Sequence, residues 1–261
     1  MDLQLAGRAY YVTGLSRGVG SAVARALLAE GAFVAGCARD ATRLGQWYAG
    51  VPDDQRDRVL VAAVDVLDAD RLAAAVATAA RRFGRLDGVV AGAGTGTAGG
   101  VLDTLPAQWD AQLRLKTHSV LNLVRPAVPA LRESDAARIV VINGVIAHVP
   151  DSGHAATSAA RAAVANLTRS LAVELAPAVL VNAVNLGAIM TDRQRERYEA
   201  SGMGQSIDEW AAGEAARRGI LVGRLGQVAE VVPVVLLLLS PVSSYLTGTA
   251  IDVSGGSGTT P

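Results

Sequence analysis

The sequence predicts an α/β fold in which one doubly wound parallel sheet is flanked by helices on both faces. Strand-like and helix-like segments alternate along the 261 residues, which is the order that builds a parallel sheet. Hydrophobic residues make up 51% of the chain and aromatic residues only 4%. Alanine and valine dominate instead, and such small side chains suit helices packed closely on a sheet. This length fits one domain, residues 1–261, with a sizeable core.

The chain begins with a strand, a glycine turn and a helix, which together predict a dinucleotide site. Residues 10–12 end a buried strand, three glycines follow at the spacing GxxxGxG in residues 14–20, and residues 21–30 form an amphipathic helix. Glycine lets the backbone turn sharply and approach a ligand that a Cβ would block. The N–H groups and dipole at a helix start suit a pyrophosphate. This order therefore favours nucleotide binding over a simple tight turn.

The second strand, residues 32–38, carries the signal for the type of nucleotide. Arg39 follows it directly, and a basic residue here suits a 2′-phosphate, whereas an acid suits an unphosphorylated ribose. Arg17 in the glycine turn adds a second guanidinium to the same corner, and two guanidinium groups can clamp a phosphate. Because no acid competes at the strand end, we expect NADP(H) rather than NAD(H). The alternative is that both arginines are only solvated.

The rest of the chain continues the alternation of strand and helix. Residues 193–222 are the exception, because they are charged and weakly periodic. We expect them to form a small mobile lid over a substrate pocket, with Met203 and Trp210 either capping an apolar ligand or packing within the lid. Further strands are predicted at residues 59–64, 86–90, 138–142, 179–185 and 248–253, and helices at residues 70–82, 106–131, 157–175 and 227–240.

Charge and cysteine content limit the classes of function. Basic and acidic residues number 24 each, so no net positive field exists to hold nucleic acid or an anionic membrane surface. The most apolar run, residues 231–239, is too short to cross a bilayer, and no signal peptide is recognised. Cys37 is the single cysteine and is expected to be an inert buried thiol in a reducing cytoplasm.

Several segments resemble the short-chain dehydrogenase/reductase family over essentially the whole chain. Residues 13–20 resemble its cofactor turn, and residues 91–94 stand where it has an Asn-Asn-Ala-Gly run. Residues 182–191 resemble its segment after the sixth strand, although Leu186 replaces a usual proline. The resemblance implies a Rossmann-like fold, a nicotinamide cofactor and a homodimer or homotetramer. The cofactor-binding residues expected from the turn and the resemblance are Gly14, Ser16, Arg17, Gly18, Val19, Gly20, Arg39, Asp65, Val66, Ala91, Gly92, Ala93, Arg161, Gly187, Ile189 and Thr191.

The same resemblance locates the catalytic positions, and none holds the family's residue type. The family moves a proton to or from a carbonyl–alcohol pair with Asn, Ser, Tyr and Lys. Here those positions are Lys116, Gly144, Thr157 and Arg161. Gly144 has no hydroxyl, and the Thr157 hydroxyl is a far weaker acid than a phenol. Arg161 can hold a ribose but cannot exchange protons. We therefore expect little of the family's usual reaction.

Three histidines fall in the part of the chain that lines the family's substrate pocket. His154 precedes Arg161 by seven residues, which is the spacing of the proton-donating tyrosine in the family's divergent enoyl-reductase branch. An imidazole there could act as acid or base near neutral pH. The alternative for His148 and His154 is a hydrogen-bonded loop residue, and His118 is expected to pack or to lie at a subunit interface. The candidate catalytic residues are thus His154, His148, Lys116, Thr157 and Arg161, and no metal is expected because the spacing fits no closed zinc pattern.

Three functions remain open on this basis. The preferred hypothesis is an NADP(H)-binding enzyme of small-molecule metabolism that cyclises, dehydrates, isomerises or rearranges a largely apolar metabolite by non-standard acid–base chemistry. The second is an NADPH-dependent carbonyl reductase that uses His154 or a water molecule as proton donor. The third is a nucleotide-sensing or partner-binding protein that has lost catalysis.

Overall fold

The computed structural model describes residues 1–258, and a parallel sheet of seven strands organises them. The sheet order is β3-β2-β1-β4-β5-β6-β9, and β7 pairs with β8 beside it. The strands are β1 Ala9–Thr13, β2 Phe33–Ala38, β3 Val59–Ala63, β4 Gly88–Ala91, β5 Ala137–Gly144, β6 Val179–Leu186, β7 Ile189–Met190, β8 Gly226–Gln227 and β9 Ala250–Val253. The order reverses between β1 and β4, so a crevice is expected at their carboxyl ends.

Helices cover both faces of the sheet, as the alternation predicts. One core cluster joins α3, α4 and α5 to the sheet, and another joins α1, α2 and α8 to its opposite face. Neighbouring residues of β1 divide between the two, since Tyr11 belongs to the first cluster and Tyr10 to the second. The helices are α1 Gly18–Ala29, α2 Ala41–Ala49, α3 Ala69–Phe83, α4 Pro106–Leu131, α5 Ala155–Leu175, α6 Asp192–Ser201, α7 Ile207–Arg217 and α8 Val228–Leu239.

The seven predicted strands of the main sheet are confirmed, but the two-residue strands β7 and β8 and the short helix α2 were not predicted. The N-cap of α2, Asp40, accepts the backbone N–H of Arg43, and Leu44 and Trp47 are buried three residues apart. Helix α5 begins two residues before its predicted start. The loop before α5 also contains a short 3₁₀ turn at Val145–Ala147. Two turns of helix carry too few apolar positions for periodicity to reveal them.

Residues 193–222, expected to form a lid, contain most of α6 and all of α7 and contribute to a small core of their own. We call this segment the lid, and its closure over a substrate stays a prediction. The core consists of Trp210, Ala215, Ile220 and Leu225, each buried, and the Ser206–Glu209 capping box starts α7. Trp210 therefore packs within this segment, which was one of the two alternatives for it. Met203, by contrast, is 58% exposed.

Cys37 and the apolar helices were the subject of two further expectations. Cys37 is fully buried in β2, and burial raises the pKa of its thiol to about 11, so it is an inert thiol as predicted. No helix within the described part of the chain has the length and hydropathy needed to cross a membrane. The end of the glycine-rich tail, residues 259–261, lies outside the described residues.

Candidate functional site

The glycine turn forms a cradle between the carboxyl ends of β1 and β4. A Cβ added at Gly20 would lie 2.5 Å from the carbonyl oxygen of Gly14, and Gly14 itself has a φ of +76°. Neither position accepts a larger residue without a backbone shift. The Thr13 hydroxyl accepts the N–H groups of Gly92 and Ala93 at 3.1 and 3.3 Å. The turn is therefore tied to β4 at the reversal of strand order, where doubly wound sheets bind nucleotides.

The start of α1 borders a cavity rich in arginine. Its N-cap residue, Arg17, makes no side-chain capping bond, so the first N–H groups of the helix can receive a phosphate. Val19 is buried within the first turn of the helix. The cavity beside it has a volume of about 660 Å³. Its lining includes the predicted residues Ser16, Arg17, Gly18 and Thr191, and also Arg25, Arg43, Trp47 and Arg195.

The second arginine of this corner differs from the one expected. Arg39 is exposed and has no hydrogen bond or ion pair to the rest of residues 1–258, whereas Arg43 lines the cavity beside Arg17. Asp40 lies between them in sequence, but its carboxylate caps α2 and pairs with Arg43 at 3.4 Å. Periodicity alone could not show this, because the placement of Arg43 depends on α2.

An ion pair links the glycine turn to the lid. Arg17 Nη1 lies 2.9 Å from Glu196 Oε1 of α6, and both side chains are partly exposed, at 37% and 52%. A phosphate bound to Arg17 would compete with this carboxylate. The position of α6 and the binding of a phosphate therefore both depend on the guanidinium group of Arg17.

The residues expected at the adenine side lie at or just after the carboxyl ends of β3 and β4. Asp65 Oδ1 accepts the N–H of Leu67 at 2.9 Å, which fixes the turn after β3. The carbonyl of Val66 accepts a bond from Asn122 Nδ2 at 2.9 Å. Ala91 ends β4 and is buried. The two hydrogen bonds fix the loop after β3.

The segment after β6 is held in place by the small second sheet. The N–H of Gly187 donates to Val253 at 3.0 Å, and Ile189 is buried and pairs with Gly226 of β8. Thr191 is the N-cap of α6 and lines the arginine-rich cavity. The segment thus runs from the end of β6 to α6. By the resemblance, the nicotinamide is expected near Ile189 and Thr191 of this segment.

Three cationic side chains meet beyond β4 and β5. Lys116 of α4 is buried, with 7% exposure, and its Nζ lies 2.7 Å from where a Cβ on Gly94 would be. Arg193 of the lid donates Nη2 to the Gly94 carbonyl at 3.4 Å. Arg161 of α5 donates Nη1 to Asn143 Oδ1 at 3.3 Å. Within residues 1–258, no carboxylate is bonded to any of the three; we call them the cationic trio.

The cationic trio is electrostatically unfavourable in the free protein. Burial lowers the pKa of Lys116 well below its usual value, and the charges of Arg161 and Arg193 lower it further. Burial, with the charge of Arg193, lowers the pKa of Arg161 to about 10. Burial and the charge of Arg17 lower the pKa of Arg193, against the opposing effect of Glu196. Such a cluster favours a bound anion or a developing oxyanion.

The residue at the family's tyrosine position has its hydroxyl fully engaged. Thr157 Oγ1 accepts the N–H of Thr97 at 3.0 Å and lies 3.1 Å from the Thr97 carbonyl and 3.3 Å from Gln112 Oε1. Gln112 in turn donates to the Thr97 hydroxyl at 2.8 Å. This network closes the loop after β4 onto α4 and α5. The geometry gives Thr157 a structural task, and its predicted catalytic role stays untested.

The histidines lie in separate surroundings. His154 Nδ1 is 3.1 Å from Asp151 Oδ2, which is itself 3.8 Å from Arg218 of the lid. Burial alone would raise the pKa of Asp151, but the N–H of Gly153 and the charges of His154 and Arg218 lower it. His148 Nε2 instead pairs with Asp252 of β9 at 3.1 Å.

His118 is exposed on α4 and lies 3.2 Å from the Thr117 hydroxyl. None of the three histidines is bonded to a member of the cationic trio within the described chain. No group of three or more His, Cys, Asp or Glu residues suited to a metal ion occurs within residues 1–258.

Most of the chain is similar to a known sequence family and to proteins described as reductases. The sequence family described as "Enoyl-(acyl carrier protein) reductase" matches residues 14–258. The short-chain reductase protein NovJ of Streptomyces niveus is 31% identical, over 94% of this chain and 92% of NovJ. The 3-oxoacyl-[acyl-carrier-protein] reductase FabG of Thermotoga maritima is 30% identical, over 97% of this chain and 99% of FabG.

The chain belongs to the short-chain dehydrogenase/reductase family. Two solved members have the same fold. A short-chain oxidoreductase of Pseudomonas aeruginosa PAO1, described as containing an atypical catalytic center and bound to NADPH, is 37% identical with a TM-score of 0.91, over 98% of this chain and 99% of that one. L-sorbose reductase of Gluconobacter frateurii, complexed with NADPH and L-sorbose, is 26% identical with a TM-score of 0.93, over 100% of both chains.

Membership of the short-chain dehydrogenase/reductase family confirms the predicted fold and the expectation of an oxidoreductase-like enzyme. Arg193 could not be singled out beforehand, because nothing in a charged segment distinguishes one arginine from its neighbours. Arg43 could not be singled out either, because its placement depends on α2. The composition does distinguish Lys116 from the other basic residues. Of the 24 basic residues, 23 are arginines, and Lys116 is the single lysine.

Proposed function

We propose that this protein is an NADP(H)-dependent oxidoreductase of small-molecule metabolism in which the cationic trio replaces the family's tyrosine-based proton transfer. The observation that carries the proposal is Lys116, a buried amine without a hydrogen-bond partner in the described chain, beside Arg161 at the lysine position. Burying a cation without a partner is unfavourable, and such cations are found where they interact with the charge of a bound ligand.

The choice of NADP(H) rests on the corner between the glycine turn and α2. Arg17, Arg25 and Arg43 line the cavity there, and guanidinium groups bind phosphate oxygens in pairs. Two solved relatives, from Pseudomonas aeruginosa and Gluconobacter frateurii, are described with NADPH. Both observations support the phosphorylated cofactor, and NAD(H) is the weaker alternative.

In the proposed reaction, the protein must stabilise negative charge on one substrate oxygen and then protonate that oxygen. NADP(H), when bound, supplies or accepts a hydride. As a carbonyl is reduced, negative charge develops on its oxygen, and Lys116 and Arg161 can stabilise that charge in a site with little water. Lys116, with its lowered pKa, can then give the oxygen a proton. His154 or a water molecule is the alternative donor.

A second candidate is a redox-neutral reaction on a largely apolar metabolite. Cyclisation, dehydration, isomerisation or a pericyclic step needs a stabilised enolate or alkoxide, which the same cationic trio can provide. The engaged hydroxyl of Thr157 favours this candidate, because it leaves the tyrosine position without a free proton donor. The named relatives are reductases, and for that reason we rank this candidate second.

Turnover with deuterated cofactor separates the candidates. Purified protein is incubated with a panel of ketones, aldehydes and enones and with NADPH carrying deuterium at the transferable position. Deuterium in the product, with one NADPH oxidised per product, supports the oxidoreductase. Product without deuterium supports the redox-neutral enzyme. If NADPH binds in calorimetry and no substrate in the panel reacts, a nucleotide-sensing protein becomes the better explanation.

Variants of the single lysine connect turnover to the site. Lys116→Met is expected to lower turnover by about 10²- to 10⁴-fold, and Lys116→Arg to keep the charge but lose the proton. Arg114→Met is the matched control, because Arg114 is exposed on the same helix two residues away. Equal turnover of Lys116→Met and the control would refute a role for the amine.

We also propose a homodimer or homotetramer assembled through α4 and α5. Both helices carry exposed apolar side chains, including Leu113 and Val173, and His118 is exposed on α4. Burying such side chains against a second copy is favourable. Light scattering at micromolar concentration tests this, and a monomer would refute it.

A further inference from the structure

Within the described chain, no carboxylate is bonded to Lys116 or to the two arginines near it. Lys116 is more than nine-tenths buried and has no hydrogen bond or ion pair within the described chain. Arg161 and Arg193 bond only to neutral oxygens, those of Asn143 and Gly94. Burying one unpaired cation is costly, and placing three together adds repulsion.

Two partly buried arginines outside the cationic trio are paired with carboxylates. The Arg8 side chain, 13% exposed, lies 3.3 Å from the buried carboxylate of Asp87, and Arg218 binds Glu214 at 3.2 Å. Arg138, which is buried, bonds instead to two backbone carbonyls. The cationic trio differs from both cases, because it places three cations together at the end of the sheet where the substrate of the proposed function would react. An anion carried by a ligand would balance this charge.

Two ligands could supply that anion, and the structure separates their positions. The cofactor phosphates are expected at the uncapped start of α1, where Arg17 and the arginine-lined cavity stand. Lys116 faces Gly94 beyond β4, and Arg161 lies against Gly144 beyond β5. By the resemblance, this region meets the ribose and the reacting carbon, neither of which carries the phosphate charge.

We infer that the substrate is an oxo acid, a carbonyl compound that carries a carboxylate close to the reacting carbon. The inference rests on the proposed function and names its substrate class. Arg193 holds the carboxylate from the lid side, and Lys116 lies between this carboxylate and the reacting oxygen. Because Arg193 belongs to α6, binding of the anion also fixes the lid over the site. Neutral carbonyl compounds of the same size lack this anchor.

The single lysine allows a direct test that needs no turnover. Protein labelled with ¹⁵N at the lysine ε position gives one ammonium signal, whose titration reports the pKa of Lys116. Spectra are recorded with saturating NADP⁺, and then with isobutyrate or with the neutral isobutyramide, each to about 50 mM, a range that detects millimolar binding. A nearby anion favours the charged amine, so isobutyrate is expected to raise the pKa of Lys116 and isobutyramide to leave it unchanged.

The arms of this experiment distinguish the two sources of anion. A rise with NADP⁺ alone and no further change with isobutyrate would show that the cofactor supplies the charge, and would overturn the inference. Equal responses to both probes, or no response to either, would also overturn it. Calorimetry with NADP⁺ on the same sample tests the proposed function separately, because failure to bind NADP⁺ leaves the response of the free protein to isobutyrate intact.

Variants then assign the anchor to the lid. Arg193→Gln is expected to weaken isobutyrate binding by about tenfold or more, in line with loss of a charge-assisted bond. Arg114→Gln removes one charge from an exposed position on α4 and is expected to have no effect. Equal binding by the two variants would remove Arg193 from the site.

Discussion

The guanidinium group of Arg161 lies directly against Gly144. A Cβ added at Gly144 would be 3.2 Å from Cζ, Nε and Nη1 of Arg161, which is tighter than ordinary contact. The two positions that align by motif spacing with the serine and lysine of the short-chain dehydrogenase/reductase family are therefore coupled here. The larger cation occupies the space that a serine side chain would need, so neither substitution is independent of the other.

Restoring the serine alone is expected to damage the site. Gly144→Ser should displace the Arg161 guanidinium and weaken NADP(H) binding by about tenfold, or about 1.4 kcal/mol. Adding Arg161→Lys frees space, so the double variant should bind NADP(H) better than the sum of the single changes predicts. Calorimetry on the four proteins completes the cycle. Strict additivity would contradict the coupling of the two positions.

Removing the buried charge is expected to stabilise the fold. Lys116→Met replaces an unpaired buried amine by an apolar chain of similar length, and should raise the free energy of unfolding at pH 7 by about 1–3 kcal/mol. The same substitution should remove activity, since stability and function often oppose each other at such sites. Urea unfolding measures the first effect, and Arg114→Met is the matched control.

The pH dependence of stability follows from the same amine. The pKa of Lys116 is lowered in the folded state from a usual 10.5, so between the two pKa values the unfolded chain binds more protons. Stability of the natural protein should therefore rise with pH through this window, and its deficit relative to Lys116→Met should shrink. Groups other than Lys116 cancel in the difference between the two proteins. A constant difference from pH 7 to pH 10 would contradict a lowered pKa.

The Thr157 hydroxyl is expected to support the fold rather than the chemistry. Thr157→Val keeps the shape but leaves Thr97 and Gln112 without their partner, which should destabilise the protein by about 1–3 kcal/mol. Turnover of the surviving folded protein should change little. Thr157→Ser keeps the hydroxyl and is the control. A large loss of turnover in the valine variant, with an unchanged melting temperature, would instead restore Thr157 as a catalytic residue.

The ion pair between Arg17 and Glu196 is expected to reduce preference for the phosphorylated cofactor. Glu196→Gln releases Arg17, and NADPH binding should tighten by about two- to fivefold, while NADH binding stays the same. Stability should hardly change, because exposed ion pairs contribute about 0–1 kcal/mol. Arg17→Gln should weaken NADPH more than NADH. Parallel changes for the two cofactors would contradict phosphate recognition by Arg17.

Local sequence patterns were sufficient to predict the parts of the site that consist of backbone. The glycines of residues 14–20 fixed the turn, and the alternation of strand and helix fixed the sheet, because side-chain period and backbone sterics act between neighbours in sequence. The positions of Lys116, Thr157 and Arg161 followed from motif spacing. The helices α2, α6 and α7 were missed, since short or charged segments carry little periodic signal.

The amino-acid pattern alone was enough to predict the fold and the glycine turn, and motif spacing predicts that the family's four catalytic side chains are replaced. The surroundings of the residues at those positions became visible only in the folded chain. Folding brought Lys116 from α4, Arg161 from α5 and Arg193 from the lid to one point without a carboxylate between them. It also tied His154 to Asp151 and Thr157 to Thr97. These contacts join residues far apart in sequence, and their charge balance depends on burial, which no local pattern encodes.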